Sequence, residues 1–205
     1  MLEGITAGFI FSLILFPGTV WLVRVGFAGR WGDVLAVGGG FWLAQFIWLV
    51  IAVPGLMLMT RQLAPLTEGM HVFASFVLAY MALKFIRTRR AEALGGVGQL
   101  PSPRALFHNA FNRSLAMPLR LPAAMAILLA TGAFINNPPT WEVVPEVLFG
   151  ALIGVSWWWG QFTFLSLVFA KRVPETITLR SLNKIRPFCA VLFFALAVIV
   201  LYLGL

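Results

Sequence analysis

The amino-acid sequence predicts an all-α integral membrane protein. Three observations carry that expectation: the composition, six apolar runs of spanning length, and the side on which the basic residues fall. Hydrophobic residues make up 60% of the 205-residue chain and charged residues only 11%. Soluble domains run at about 45–50% apolar and about 25% charged. A soluble fold of this length cannot hide so much apolar surface, and no stretch is long and polar enough for an aqueous domain. Residues 1–205 are therefore read as a single transmembrane domain whose solvent is the lipid bilayer.

The net charge of +8 does not point to nucleic acid, because the basic residues sit in short loops between apolar runs. Cys189 is the single cysteine, so no intrachain disulfide is available. Met1-Leu2-Glu3 lacks a basic leader region, and no small-residue cleavage site follows the first apolar run. That run is read as a retained helix.

A helix needs about 20 mostly apolar residues to cross the hydrocarbon core. Runs that meet this length are Gly4 to Val23, Val34 to Met59, Leu66 to Phe85, Ser114 to Ile135, Val147 to Ala170 and Pro187 to Leu205. Between the third and fourth lies a basic, then Gly- and Pro-rich segment, residues 88–104, which reads as a flexible linker. It separates a first half, 1–87, from a second half, 105–205, with three spans in each. Ala105 to Ser114 reads as a short amphipathic stretch at the interface, with Phe107 and Phe111 apolar and His108, Asn112 and Arg113 polar.

Six spans place loops 1–2, 3–4 and 5–6 on one side. Those loops and the adjoining span ends carry 14 of the 15 basic residues, all but Arg61. The positive-inside rule then puts the odd loops in the cytoplasm and both termini outside. Halves of three spans each, if they share a fold, must insert with opposite orientations. Inverted three-plus-three repeats of that kind occur in secondary transporters, whose sites lie near the midplane at broken helices.

Pro17-Gly18-Thr19 interrupts the first span, and Pro118 with Pro122 interrupts the fourth. A proline removes one backbone donor and frees a carbonyl, which at membrane depth needs a partner or a water-lined cavity. Each break is either a substrate site or a packing kink. Gly39 lies in Gly38-Gly39-Gly40 of the second span, where a backbone or a substrate can approach closely. Gln45 and Gln161 are the most polar residues deep in the spans, and each amide must find a partner there. Ser156, Gly160 and Thr163 share a face of the fifth span, as Gly8, Ser12 and Thr19 do on the first. Such small and hydroxylic stripes mark either helix contacts or a pathway, and Gly4-x-x-x-Gly8 and Gly150-x-x-x-Gly154 fit packing within one chain or in a homodimer. Trp157-Trp158-Trp159 lies mid-span, where three consecutive residues spread around the helix and at least one faces inward. Arg120, counted from Ser114, falls about one turn inside the fourth span, where it can snorkel to the cytoplasmic surface. With Asn112 and Arg113 it forms a candidate cytoplasmic mouth for a substrate carboxylate.

No Asp or Glu lies deep in any span, only His71 and His108 exist, and no Cys/His cluster or phosphate loop occurs. No metal, cofactor or nucleophile–base pair is therefore expected, and an enzyme is disfavoured.

Several of these segments, taken together, resemble the lysine exporter (LysE/RhtB) family of bacterial amino-acid exporters along nearly the whole chain. Phe16-Pro17-Gly18-Thr19 stands where the family carries Pro-Gly-Pro in its first helix. Gly29-Arg30-Trp31-Gly32 and Gly38-Gly39-Gly40 are similar to its glycine-bearing turn and Gly-rich second helix, and Ala79-Tyr80-Met81-Ala82-Leu83-Lys84 to the end of its third. Phe107 or Phe111 matches the phenylalanine before the fourth helix, and Leu182-Asn183-Lys184 the Leu-Asn-Arg run before the last. The chain departs at Thr19, which replaces the second proline, and at Met117-Pro118-Leu119, which keeps only the proline of Asn-Pro-Lys. The polar, often acidic position of the fifth helix falls in the tryptophan and Ser156 region. The resemblance implies export of an amino acid or similar small molecule across the bacterial inner membrane. The missing intramembrane acid and the lost Asn-Pro-Lys favour a first alternative, a membrane scaffold; a transporter of another small solute or ion is the second.

Overall fold

A computed structural model describes residues 1–28, 30–62, 64–88, 100–117, 119–133, 141–168 and 172–204. Among them the regular elements are eight helices. They are α1 (Leu2–Leu13), α2 (Phe16–Ala28), α3 (Trp31–Gln62), α4 (Ala64–Arg87), α5 (Pro103–Leu115), α6 (Arg120–Ala130), α7 (Val143–Val168) and α8 (Glu175–Leu203). Helix is the expected answer for apolar segments in lipid, because it satisfies every backbone group within the segment. Four helices, α3, α4, α7 and α8, hold stretches long and apolar enough to cross a membrane. The count rises to six if α1 with α2, and α5 with α6, each make one bent span. The chain is an all-helical, multi-pass membrane protein by these features.

The first and fourth sequence runs need correction. Gly4 to Val23 is not one helix: the chain turns by 69° between α1 and α2. The Ile14 and Leu15 N–H groups reach back only three residues, to Phe11 and Ser12, so the α pattern lapses just before Pro17. In the fourth run, α6 has 11 residues, about 16 Å of rise, too short to cross alone. Its partner limb is α5, bent from it by 69°. Residues 105–114 therefore belong to a helix that packs against α3 through Leu106, Ala110 and Ser114. Ser102 caps α5 through its side chain and Pro103 occupies the first turn, where a missing N–H costs nothing. Pro122 likewise sits in the first turn of α6.

The last helix begins at Glu175 and passes through Pro187, which the hydropathy pattern takes as its start. The three turns before Pro187 hold Arg180, Lys184 and Arg186, so they are helical without being apolar. The 88–104 linker lies outside the described residues except for 88 and 100–104.

Packing joins the two halves. α1 lies along α7, α3 along α5 and α7, and α4 along α8. Glycine permits the closest approaches. A Cβ at Gly8 would meet the Ala151 backbone, one at Gly150 the Met1 carbonyl, and one at Gly154 the Ile5 carbonyl and Phe9 nitrogen. The two GxxxG pairs thus pack on each other within one chain. Gly40 plays the same part at α3–α5, where a Cβ would meet the Phe107 carbonyl and the Phe111 nitrogen. At the α4–α8 contact Phe85 stacks on Phe193, and Arg186 donates to the Phe85 and Ile86 carbonyls at 3.1 and 3.2 Å. That pair of bonds covers carbonyls that the end of α4 leaves open.

Candidate functional site

Both bends fall near the middle of their helix pairs, so two helix N-termini, those of α2 and α6, begin inside the protein. Beside the first of them lies Gln45, a fully buried residue of α3. Its amide nitrogen donates to the Phe11 carbonyl at 3.3 Å. Phe11 is in the last turn of α1, and its carbonyl also accepts from the Ile14 N–H at 3.3 Å. The Gln45 carbonyl oxygen in turn accepts from the Trp159 indole N–H. It also lies 3.0 Å from the Ser12 hydroxyl, which is 2.9 Å from the Gly8 carbonyl. A single amide thereby ties α1 and α7 to α3 at the first break.

Aromatic rings close this region. Phe41 stacks on Trp159 with ring centres 5.0 Å apart and meets Trp21 edge to face at 5.8 Å. A Cβ on Gly18 would come within 2.9 Å of the Phe41 ring. Glycine is needed at position 18 so that the ring can lie on the break. Thr19 is fully buried, and its hydroxyl has no hydrogen-bond partner.

The second break contributes Arg120, the first residue of α6, which is 1% exposed. Its guanidinium rests 5.7 Å from the centre of the Phe11 ring, and one amino group reaches the Met117 sulfur at 3.6 Å. The Nε and Nη1 groups have no partner. No carboxylate pairs with Arg120 among the described residues. A charge of this kind at a bilayer centre costs about 2.5–3.5 kcal/mol on insertion scales. The positive end of the α6 dipole lies at the same place, so the local potential strongly favours an anion. Ser114, one limb back on α5, is also buried with an unpartnered hydroxyl. Arg120 is buried at the start of α6 and does not reach a surface, as a snorkelling side chain would.

Gly18, Thr19 and Gln45 thus lie at the first break and Arg120 at the second, with Phe11 in contact with both Gln45 and Arg120, whereas the other expected pathway residues lie elsewhere. Pro17 is exposed beside them. Gly39 and Ser156 line a separate groove of about 450 Å³ on the outer side of the α3–α7 crossing, where the Trp42 indole N–H donates to the Ser156 hydroxyl at 2.9 Å. Gln161 points outward from α7 and is exposed, which removes it from any central pathway. Asn112 and Arg113 are exposed on α5, with Arg113 over the Trp21 ring at 5.5 Å. Pro118 lies outside the described residues. The sequence reading missed Phe11, Phe41 and Trp21 as members of the site. Of the tryptophan triplet, Trp159 bonds Gln45, Trp158 packs on Phe9 and Phe162, and Trp157 faces out.

No protein-family model, no curated protein and no solved structure matches this chain. Among the described residues, no three His, Cys, Asp or Glu side chains gather where a metal ion would be held. The chemistry on offer at the centre is recognition: a buried guanidinium, orphan hydroxyls and an amide network between two half-helices.

Proposed function

We propose that the chain is a secondary transporter, similar to the lysine exporters, that moves amino acids or similar small metabolites out across the bacterial inner membrane. The observation that carries this reading is Arg120. An unpaired guanidinium kept at 1% exposure is a standing demand for an anion, and a substrate carboxylate would meet it with charge-assisted hydrogen bonds. In this reading the substrate passes between the two breaks. With six spans, the same reading has the basic loops in the cytoplasm and both ends outside, on the positive-inside rule.

The two halves act as inverted repeats in this proposal. Support comes from matched contacts. Trp42 bonds Ser156 and Gln45 bonds Trp159, and both pairs are separated by 114 residues. Gly40 and Gly154 are also 114 apart, and the residues that meet them, Phe107 and Phe111 against Ile5 and Phe9, are 102 apart in each case. Shifting α3 by 114 onto α7 and α1 by 102 onto α5 therefore carries one close crossing into the other. Both bent pairs turn by 69°. Repeats related in this way alternate access by rocking about a shared site.

Purified protein in vesicles loaded with amino acids tests the proposal. Efflux above that of empty vesicles for at least one substrate, abolished by Arg120→Met, is expected. Flux equal to empty vesicles across the full panel would overturn it.

A second reading, a membrane scaffold without transport, draws on one specific observation. The first break is filled, with Phe41 on Gly18 and the Gln45 amide bonded wholly inside the protein. A partner of fixed stoichiometry that co-purifies with a protein inactive in the vesicle assay would favour this reading.

A further inference from the structure

Gln161 is a primary amide on the outer face of α7, seven residues before the helix ends at Val168. That distance is about 10 Å along the helix axis. Its neighbours on that face are apolar and exposed: Trp157 one turn before it, at 61%, and Phe164 one turn after it, at 60%. The stripe is what lipid tails would cover, and the amide interrupts it.

The Gln161 side chain makes no hydrogen bond among the described residues. A bare amide costs several kcal/mol in hydrocarbon, where no water can serve it. Gly160 beside it has nothing within 4 Å of a Cβ position, so a second helix can approach the backbone there. Ser156, one turn before Gly160, accepts from Trp42 but donates its own proton to no described residue. The open groove between α3 and α7 continues this face through Gly38, Gly39 and Thr163.

We propose that this face is the dimer interface of the protein, closed by a second copy of the same chain with Gln161 opposite Gln161. The amide selects the occupant. It carries one carbonyl acceptor and an NH₂ donor, so two glutamines across a two-fold axis satisfy each other reciprocally. A lipid tail offers neither group. A two-fold contact is self-complementary by construction, and Gly160 lets the two helices come close enough for the amides to meet. The inference does not depend on transport.

The test uses the full chain in bilayers. Cys189 is buried, so a single Gly160→Cys substitution introduces one reactive thiol on the proposed face. Phe194→Cys on the exposed side of α8 serves as the control. Oxidation is expected to give a homodimeric band with Gly160→Cys and none with Phe194→Cys. Gln161→Leu is expected to raise the dimer dissociation constant about 5- to 30-fold, the range that one interhelical polar pair supplies in a membrane. At dilution that leaves the protein monomeric, its unfolding midpoint should be unchanged, because Gln161 is exposed and makes no side-chain hydrogen bond to a described residue. A protein monomeric at every protein-to-lipid ratio would overturn the proposal. So would equal crosslinking at both thiols, an unshifted dissociation constant, or crosslinking of Gly160→Cys to a different polypeptide.

Discussion

The Trp159 indole donates to the Gln45 amide at the α3–α7 crossing, and that amide reaches on to the Phe11 carbonyl beside the bend between α1 and α2. One glutamine thereby binds three helices, α1, α3 and α7, at the bend.

Replacing Gln45 with leucine leaves the buried Trp159 N–H without a partner and takes one contact each from the Phe11 carbonyl, which keeps the Ile14 N–H, and the Ser12 hydroxyl, which keeps the Gly8 carbonyl. We expect a loss of about 1–3 kcal/mol, since buried orphans cost about that much and membrane hydrogen bonds average less than about 1 kcal/mol each. Unfolding by denaturant in mixed micelles measures it. A variant as stable as the parent would show that the bonds carry no net weight.

Arg120→Met is expected to raise stability by about 1–3 kcal/mol, because it removes a buried charge that nothing pairs and keeps a side chain of similar length. Export activity should disappear in the same variant. The combination matters: a purely structural arginine would lose stability on substitution, and a mouth residue would change neither quantity much.

Gly8→Ala and Gly32→Ala separate packing from helix propensity. At Gly8 a methyl group meets the Ala151 backbone, whereas at Gly32 nothing lies within 4 Å. The first should cost about 2 kcal/mol or more through forced separation of α1 and α7. The second should change stability by less than about 1 kcal/mol, toward greater stability. Thermal unfolding of both variants under one condition gives the comparison.

Topology can be read with thiol labels, because the native thiol at Cys189 is buried. Glu142→Cys and Arg180→Cys replace exposed side chains at opposite ends of the molecule. In intact cells an impermeant maleimide should label the first and not the second. The reverse pattern would invert the positive-inside assignment.

The long apolar runs made α3, α4, α7 and α8 legible in the sequence, because span length is a direct consequence of bilayer thickness. The direction each face takes was not. Gln45 and Gln161 are the same residue within long apolar helices, yet one is wrapped in partners and the other faces outward. A helix apolar on all sides has no polar stripe to mark its inner face. Arg120 was misplaced for a different reason. Hydropathy starts a run at Ser114, whereas the helix that holds Arg120 starts at Arg120 itself, after a separate helix, α5, amphipathic enough to read as interfacial. The GxxxG pairs were legible as contacts, but only the fold shows that each is the other's partner.

The pairing of α1 with α7 has a consequence for how the protein is made. The Gly4–Gly8 face meets helix surface about 145 residues downstream. At about 5–20 residues per second, the first helix leaves the ribosome about 7–30 s before its partner exists. During that interval its glycine groove is an open contact surface in a crowded membrane. Biogenesis therefore calls for an insertase or chaperone that shelters early helices until the late ones arrive.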